Sequence, residues 1–312
     1  MIACLAANPS IDRLFEVERL TPGAIHRPLR SVERAGGKGL NCARAVRSLG
    51  ADVVAIPLLR GHAGRWIGDE LAAEGVAVEA VASSGENRTS LSVADRETGG
   101  LTEFYEHGPD ATPAMWAELL AALDRALPRA SWLTISGSLP PGLPDDGYAT
   151  AVRRARDAGV AVALDTEGER LRRALAERPE VVKVNATEAG DLLGRTVASR
   201  EDALGAARDL RALAGGEGAA LVTRGAEGAV LVAPDGTARG GALHVRGPYP
   251  VGSGDAFLAG LVVGLERGSG WEAAFALALA AAAANAEAPG AGHLDPLRAR
   301  SLVASAELRD LV

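Results

Sequence analysis

The segment Val251-Gly252-Ser253-Gly254-Asp255 runs directly into the apolar stretch Ala256-Phe257-Leu258-Ala259. Glycines let an anion come close to backbone N–H groups, and a helix start adds the positive end of its dipole. An aspartate at the same place can take the proton of a hydroxyl that attacks phosphorus. Gly252, Ser253 and Gly254 are therefore expected to form an anion hole, with Asp255 as catalytic base. The same residues also suit a plainer role, since Ser and Asp both cap helices after a glycine turn.

Two more segments carry candidate chemistry. Ala35-Gly36-Gly37-Lys38-Gly39-Leu40-Asn41 is not a P-loop, because no Ser or Thr follows the lysine. It does place backbone amides, an ammonium and a carboxamide at a helix start, which is a clamp for a hydroxyl-bearing ligand. Lys183-Val184-Asn185-Ala186-Thr187-Glu188 follows an apolar run and opens another helix. Asn185 and Glu188, three apart, could hold a hydrated magnesium, or could simply form a capping box. Of the 33 basic residues only two are lysines, Lys38 and Lys183, and both fall in these segments. The ammonium and the guanidinium are not interchangeable, so their placement is informative.

These segments need a frame. Short apolar runs alternate with amphipathic stretches. Strands are expected at Ile2–Ala6, Asp52–Leu58, Trp132–Ser136, Ala161–Asp165, Val181–Val184, Ala220–Thr223 and Ala229–Ala233. Helices are expected at Gly39–Leu49, Trp66–Glu74, Pro113–Leu127, Tyr148–Ala158, Leu171–Ala176, Ala186–Leu193, Arg200–Ala214, Asp255–Arg267 and Trp271–Ala284. The alternation predicts an α/β fold with a mostly parallel sheet covered by helices on both faces. Two hairpin-like insertions break the rhythm, Arg13–Glu18 with Ile25–Val32 and Arg88–Asp95 with Leu101–His107. They are expected to form one four-stranded lid over the open end of the sheet.

Composition narrows the partners. A net charge of −7 argues against a general nucleic-acid or anionic-membrane surface. Two cysteines, Cys4 and Cys42, exclude a disulfide framework and are expected as buried free thiols. The most apolar stretch, Ala273 to Ala284, is too short to span a bilayer, and a cytoplasmic location is expected.

Taken together, the motifs resemble those of the PfkB, or ribokinase-like, carbohydrate kinases, in the same order and over essentially the whole chain. Asn8-Pro9-Ser10-Ile11-Asp12, Gly36-Gly37-Lys38-Gly39, Lys183-x-Asn185-x-x-Glu188 and Val251–Asp255 carry the likeness. With Ser136-Gly137-Ser138-Leu139-Pro140-Pro141-Gly142 they resemble the sugar-phosphate branch, which includes fructose-1-phosphate and tagatose-6-phosphate kinases. The resemblance implies a core of residues 1–8, 34–85 and 109–312 and a lid of 9–33 and 86–108. It implies sugar binding by Asp12, Gly37 and Asn41, with Arg27, Lys38 and Arg88 facing the substrate's own phosphate. ATP would meet Lys183, Asn185, Thr223, Gly225, Gly228 and Asn285, with magnesium near Asn185 and Glu188 through water. Fructose 1-phosphate is the first candidate acceptor. Tagatose 6-phosphate, fructose 6-phosphate, an unphosphorylated sugar or a nucleoside are the alternatives, and a sugar-binding regulator is the non-enzyme one. A homodimer through the lid is also implied. The chain departs from the branch at His26, at Gly61-His62-Ala63-Gly64 and at Glu103–His107, where His62 and His107 could line the mouth of the site.

Overall fold

The structure, a computed structural model, describes residues 1–245 and 247–312. Its first third runs β1 (Ile2–Ala6), β2 (Ser10–Val17), β3 (Arg30–Gly36), α1 (Lys38–Ser48), β4 (Val53–Arg60), α2 (Gly61–Ala73), β5 (Ala77–Val78), β6 (Val81–Ser83), β7 (Arg88–Asp95) and β8 (Leu101–Tyr105). There follow α3 (Pro113–Ala126), β9 (Trp132–Ser136), α4 (Gly147–Asp157), β10 (Ala161–Asp165), α5 (Gly168–Leu175), β11 (Val181–Asn185), α6 (Ala186–Leu193) and α7 (Arg200–Leu213). The rest is β12 (Ala219–Thr223), β13 (Ala229–Val232), β14 (Ala238–Ala242), α8 (Ser253–Glu266), α9 (Gly270–Glu287), α10 (Pro296–Val303) and β15 (Glu307–Leu311).

Among the described residues, eleven strands form the main sheet, in the order β15-β14-β13-β12-β11-β10-β9-β1-β4-β5, with β6 also on β4. Pairing is parallel from β5 to β12 and antiparallel from β12 to β15. Side chains alternate between faces along a strand. On β1, Ala3 and Leu5 join a core that includes α3 and α4, while Ile2 and Cys4 join one that includes α1, α8 and α9. Both faces are therefore packed, which is why β1 reads as an unbroken apolar run. Cys4 and Cys42 are buried and unlinked.

The second sheet has the order β3-β2-β7-β8, with β2 and β7 parallel and the outer pairs antiparallel. One small sheet thus unites both insertions. The strand expected over Ile25–Val32 instead spans β3, Arg30–Gly36. Pro28 lacks an N–H, and pairing resumes just after it, where Leu29 N donates to Glu16 O. The helix expected at Trp66 starts five residues earlier, at Gly61. A distant carboxylate explains this: Glu86 accepts from the His62 and Ala63 amides, each at 2.9 Å. Those bonds hold the Glu86 pKa down at about 2. Strands β5, β6, β14 and β15 and helix α10 were not expected. β14 is glycine-rich and β15 is mostly charged, so neither has a strand's apolar signature.

Candidate active site

A cleft of about 1490 Å3 lies between the two sheets, at the carboxyl ends of the parallel strands. It exceeds the volume of a single small-ligand pocket and has room for two substrates. Asp12, Lys38, Arg88, Asp165, Lys183 and Asp255 line it.

Asp255 occupies the first turn of α8, buried at the wall of the cleft, and accepts a hydrogen bond from Asn41 Nδ2 at 2.9 Å. Burial, and then the negative charge of Asp165, push its pKa up to about 7, against the pull of Lys38, Asn41 and Lys183. Such a carboxyl is a usable base near neutrality. Asn41 is held in turn by Arg44, whose Nη1 donates to Asn41 Oδ1 at 3.4 Å and to Ala291 O at 2.9 Å.

The Gly252–Asp255 segment turns tightly into α8. Gly252 caps α8 with φ +82°, and a Cβ there would sit 2.6 Å from Gly292 N. Only glycine meets both demands. The amides of Gly254 and Asp255 have no carbonyl four residues back in the helix and can face an anion. Asn285, expected to contact nucleotide, is instead wholly buried behind this loop. Its Nδ2 donates to Val251 O (2.9 Å) and Ser253 Oγ (3.2 Å), and its Oδ1 accepts from Gly292 N (2.8 Å). Asn285 braces the loop, and its α9 neighbours Ala282, Ala283 and Ala286 line the cleft.

The two lysines meet at one carboxylate. Lys183 Nζ donates to Asp165 Oδ2 at 2.6 Å, and Lys38 Nζ lies 3.8 Å from Oδ1 and 3.3 Å from Glu188 Oε1. Burial penalises the Asp165 carboxylate, but the ammonium groups of Lys183 and Lys38 outweigh it and hold its pKa low. Asp165 was not singled out in the sequence. Its signal was a lone acid closing the apolar run Ala161–Leu164 at a strand end. Asn185 and Glu188 do form a capping box: Asn185 accepts from Glu188 N, and Glu188 Oε2 accepts from Asn185 N, both at 2.8 Å. Thr223, Gly225 and Gly228 line the cleft beside them.

On the other side, Asp12 of β2 accepts from Ser10 Oγ at 2.6 Å and from Gly37 N at 3.4 Å. Burial raises its pKa, against these two donors and the Arg88 guanidinium. Arg88 reaches Asn8 O (3.3 Å) and Ser90 Oγ (3.2 Å), and Asn8 Nδ2 reaches Ser138 Oγ (3.1 Å). Arg27 does not join them. It is exposed in the β2–β3 loop, outside the cleft, because the strand that was to carry it begins only at Arg30. His107 lines the cleft, whereas His62 faces Glu86 at the start of α2 and His26 bonds within its own loop to Thr21 O. Among the described residues no cluster of three or more His, Cys, Asp or Glu side chains is placed to hold a metal by itself.

The chain is similar to known proteins over most of its length. The sequence profile described as pfkB family carbohydrate kinase matches residues 3–298. A 1-phosphofructokinase from Rhodobacter capsulatus is 35% identical over 84% of this chain and 82% of its own. A 1-phosphofructokinase from Haloferax volcanii is 34% identical over 86% and 85%. Among solved structures, phosphofructokinase-2 from Escherichia coli, in complex with substrates and products, superposes with TM-score 0.88 at 26% identity, over 97% of this chain and 98% of that one.

Proposed function

The chain belongs to the pfkB family of carbohydrate kinases, and on that premise we propose that it transfers the terminal phosphoryl group of ATP to a hydroxyl of fructose 1-phosphate, giving fructose 1,6-bisphosphate. The observation that carries this reading is the Asn41–Asp255 hydrogen bond. It supports the reading because the buried carboxyl, its pKa pushed up to about 7, lines the cleft next to both Gly252–Gly254 and Asn41. The names of the two bacterial and archaeal relatives, and the half-buried Arg88 on the lid, favour an acceptor that already carries a phosphate.

In this reading ATP lies across Thr223, Gly225 and Gly228, with the adenine against small side chains of α9. The sugar sits under β2 and β7, its hydroxyls on Asp12 and Asn41 and its phosphate toward Arg88. Asp255 takes the proton of the attacking hydroxyl as the new O–P bond forms and the bond to ADP breaks. The Gly254 and Asp255 amides and the Lys38 and Lys183 ammonium groups stabilise charge on the phosphoryl group in flight. The small sheet covers the cleft and keeps water from competing with the sugar.

Magnesium fits the polar groups present. Asp165 Oδ1 is buried without a hydrogen-bond partner, and Glu188 lines the same cleft. With so few protein oxygens, the ion would keep waters and nucleotide oxygens as its other ligands, and would neutralise phosphate charge there. A homodimer through the lid is part of the same proposal. Ile25, Leu29, Phe104 and Tyr105, all on or beside the small sheet, are large apolar side chains left exposed.

The test is ATP consumption over fructose 1-phosphate, tagatose 6-phosphate, fructose 6-phosphate, fructose and ribose. Fructose 1-phosphate should give the highest kcat/KM. A preference for fructose or ribose would overturn the phosphorylated-acceptor reading.

A further inference from the structure

One contact joins the lid to the nucleotide side of the cleft. Tyr249 Oη donates to Glu16 Oε1 at 2.6 Å, between residues 233 apart in the chain. Glu16 lies on β2, and its carboxylate is also 3.9 Å from Arg30 Nη1 on β3. Alternation along a strand puts Glu16 on the same face as Asp12 and Leu14, both of which line the cleft.

The other end is tied just as firmly. Tyr249 N donates to Ala286 O at the end of α9 (3.0 Å), and Pro250 O accepts from Ser253 N at the start of α8 (3.1 Å). Pro248 and Pro250 flank Tyr249 and restrict its backbone. Two residues further on, Asn285 holds Val251 O, and then comes Gly252. Glu16 is thus joined to the Gly252 turn through the short segment Tyr249–Val251. Arg30 on β3 also lies close to the Tyr249 hydroxyl, beside Glu16.

We propose that Tyr249 and Glu16 form a latch that couples sugar-phosphate binding under the lid to the placement of the anion loop around ATP. The proposal rests on the assignment of Asp12 to the sugar and of Gly252–Gly254 to the phosphoryl group. Tyr249 is then a positioning residue. When Asp12 and Arg88 engage the sugar phosphate, β2 fixes Glu16, Glu16 fixes Tyr249, and the loop amides are set for the nucleotide. Coupling is reciprocal, so ATP must tighten sugar-phosphate binding by the same factor.

The experiment is calorimetric titration of adenylyl imidodiphosphate with magnesium, with and without saturating fructose 1-phosphate. It is run on the wild type, Tyr249→Phe, Glu16→Gln and the double variant. The wild type should bind the analogue about fivefold or more tightly with the sugar present, the lower end of usual coupling. Each single variant should bring that factor below about twofold. The double variant should match the singles, because both break the same bond. Affinity for the analogue alone should be little changed in Tyr249→Phe, an outcome a general loosening of the fold would not give. Wild-type coupling in Tyr249→Phe, additive losses in the double variant, or no coupling in the wild type would each overturn the latch. Asp255→Asn, titrated in parallel, separates the two levels. If it binds both ligands and is inactive, the site reading stands whatever the latch does. If neither ligand binds the wild type, the site reading fails first.

Discussion

At the scale of single residues, the proposed chemistry turns on the protonation of Asp255. In the proposed mechanism its carboxylate is the base, and burial pushes its pKa up to about 7. kcat/KM for the sugar should therefore rise with pH through about 7 and level off above it. Asp165 contributes to that elevation, so Asp165→Asn should move the acidic limb to lower pH, as a pH–rate profile would reveal. A limb that stays in place would mean Asp165 does not act on Asp255. A second consequence has the opposite sign for stability. The folded state holds the Asp255 proton more tightly than the unfolded state, whose value is near 3.8. Folding is thus progressively penalised as pH rises from about 4 to about 7. Asp255→Asn removes the penalty, and Asn can still accept the Asn41 bond. The variant should be inactive yet more stable at pH 8, by up to about 4 kcal/mol for three pKa units. Equal melting temperatures for the two proteins at pH 8 would refute this.

At the scale of elements, the loop proposed to hold the phosphoryl group is braced by α9, through Asn285. α8 and α9 pack closely because small residues face each other: a Cβ on Gly264 would lie 2.6 Å from Ala274 Cα. That approach brings Asn285 under Val251 and Ser253. Asn285→Ala would leave Val251 O and Gly292 N without their partner, at a cost of about 1–3 kcal/mol in stability. It should lower kcat at least tenfold while changing the KM for sugar little, and steady-state kinetics would check this. The resemblance assigned Asn285 to the nucleotide, whereas its buried carboxamide bonds the backbone at Val251 and Gly292, a contact that only packing reveals. α2 teaches the same lesson. Its extra turn is capped by Glu86, more than twenty residues away, and local propensity carries no trace of that bond.

At the scale of the whole molecule, the parallel sheet, its two helical layers and the uniting of the two insertions were all legible. Periodicity and apolar runs encode them directly. The antiparallel flank of β13, β14 and β15 was mostly hidden, since glycine-rich and charged strands at a sheet edge are set by their neighbours. The β2–β7 pairing has the most functional weight, because it aligns Asp12 with Ser90 and so brings Asp12 and Arg88 together. Arg88→Ala should raise the KM for the sugar phosphate about 10- to 100-fold, the worth of a charged hydrogen bond, and leave the KM for ATP within about twofold. A matching rise in both would place Arg88 elsewhere in the mechanism. The two lysines have a consequence outside catalysis. Lys183 is buried, Lys38 opens into the cleft, and the amino group of Met1 is paired with Glu266 at 2.7 Å. The outer surface therefore offers acylating reagents no free lysine amine. Anything that captures this protein by a lysine, whether a dye, a cross-linker or a solid support, must enter the cleft to do so, and under the proposed mechanism the bound fraction will be the fraction that has stopped turning over.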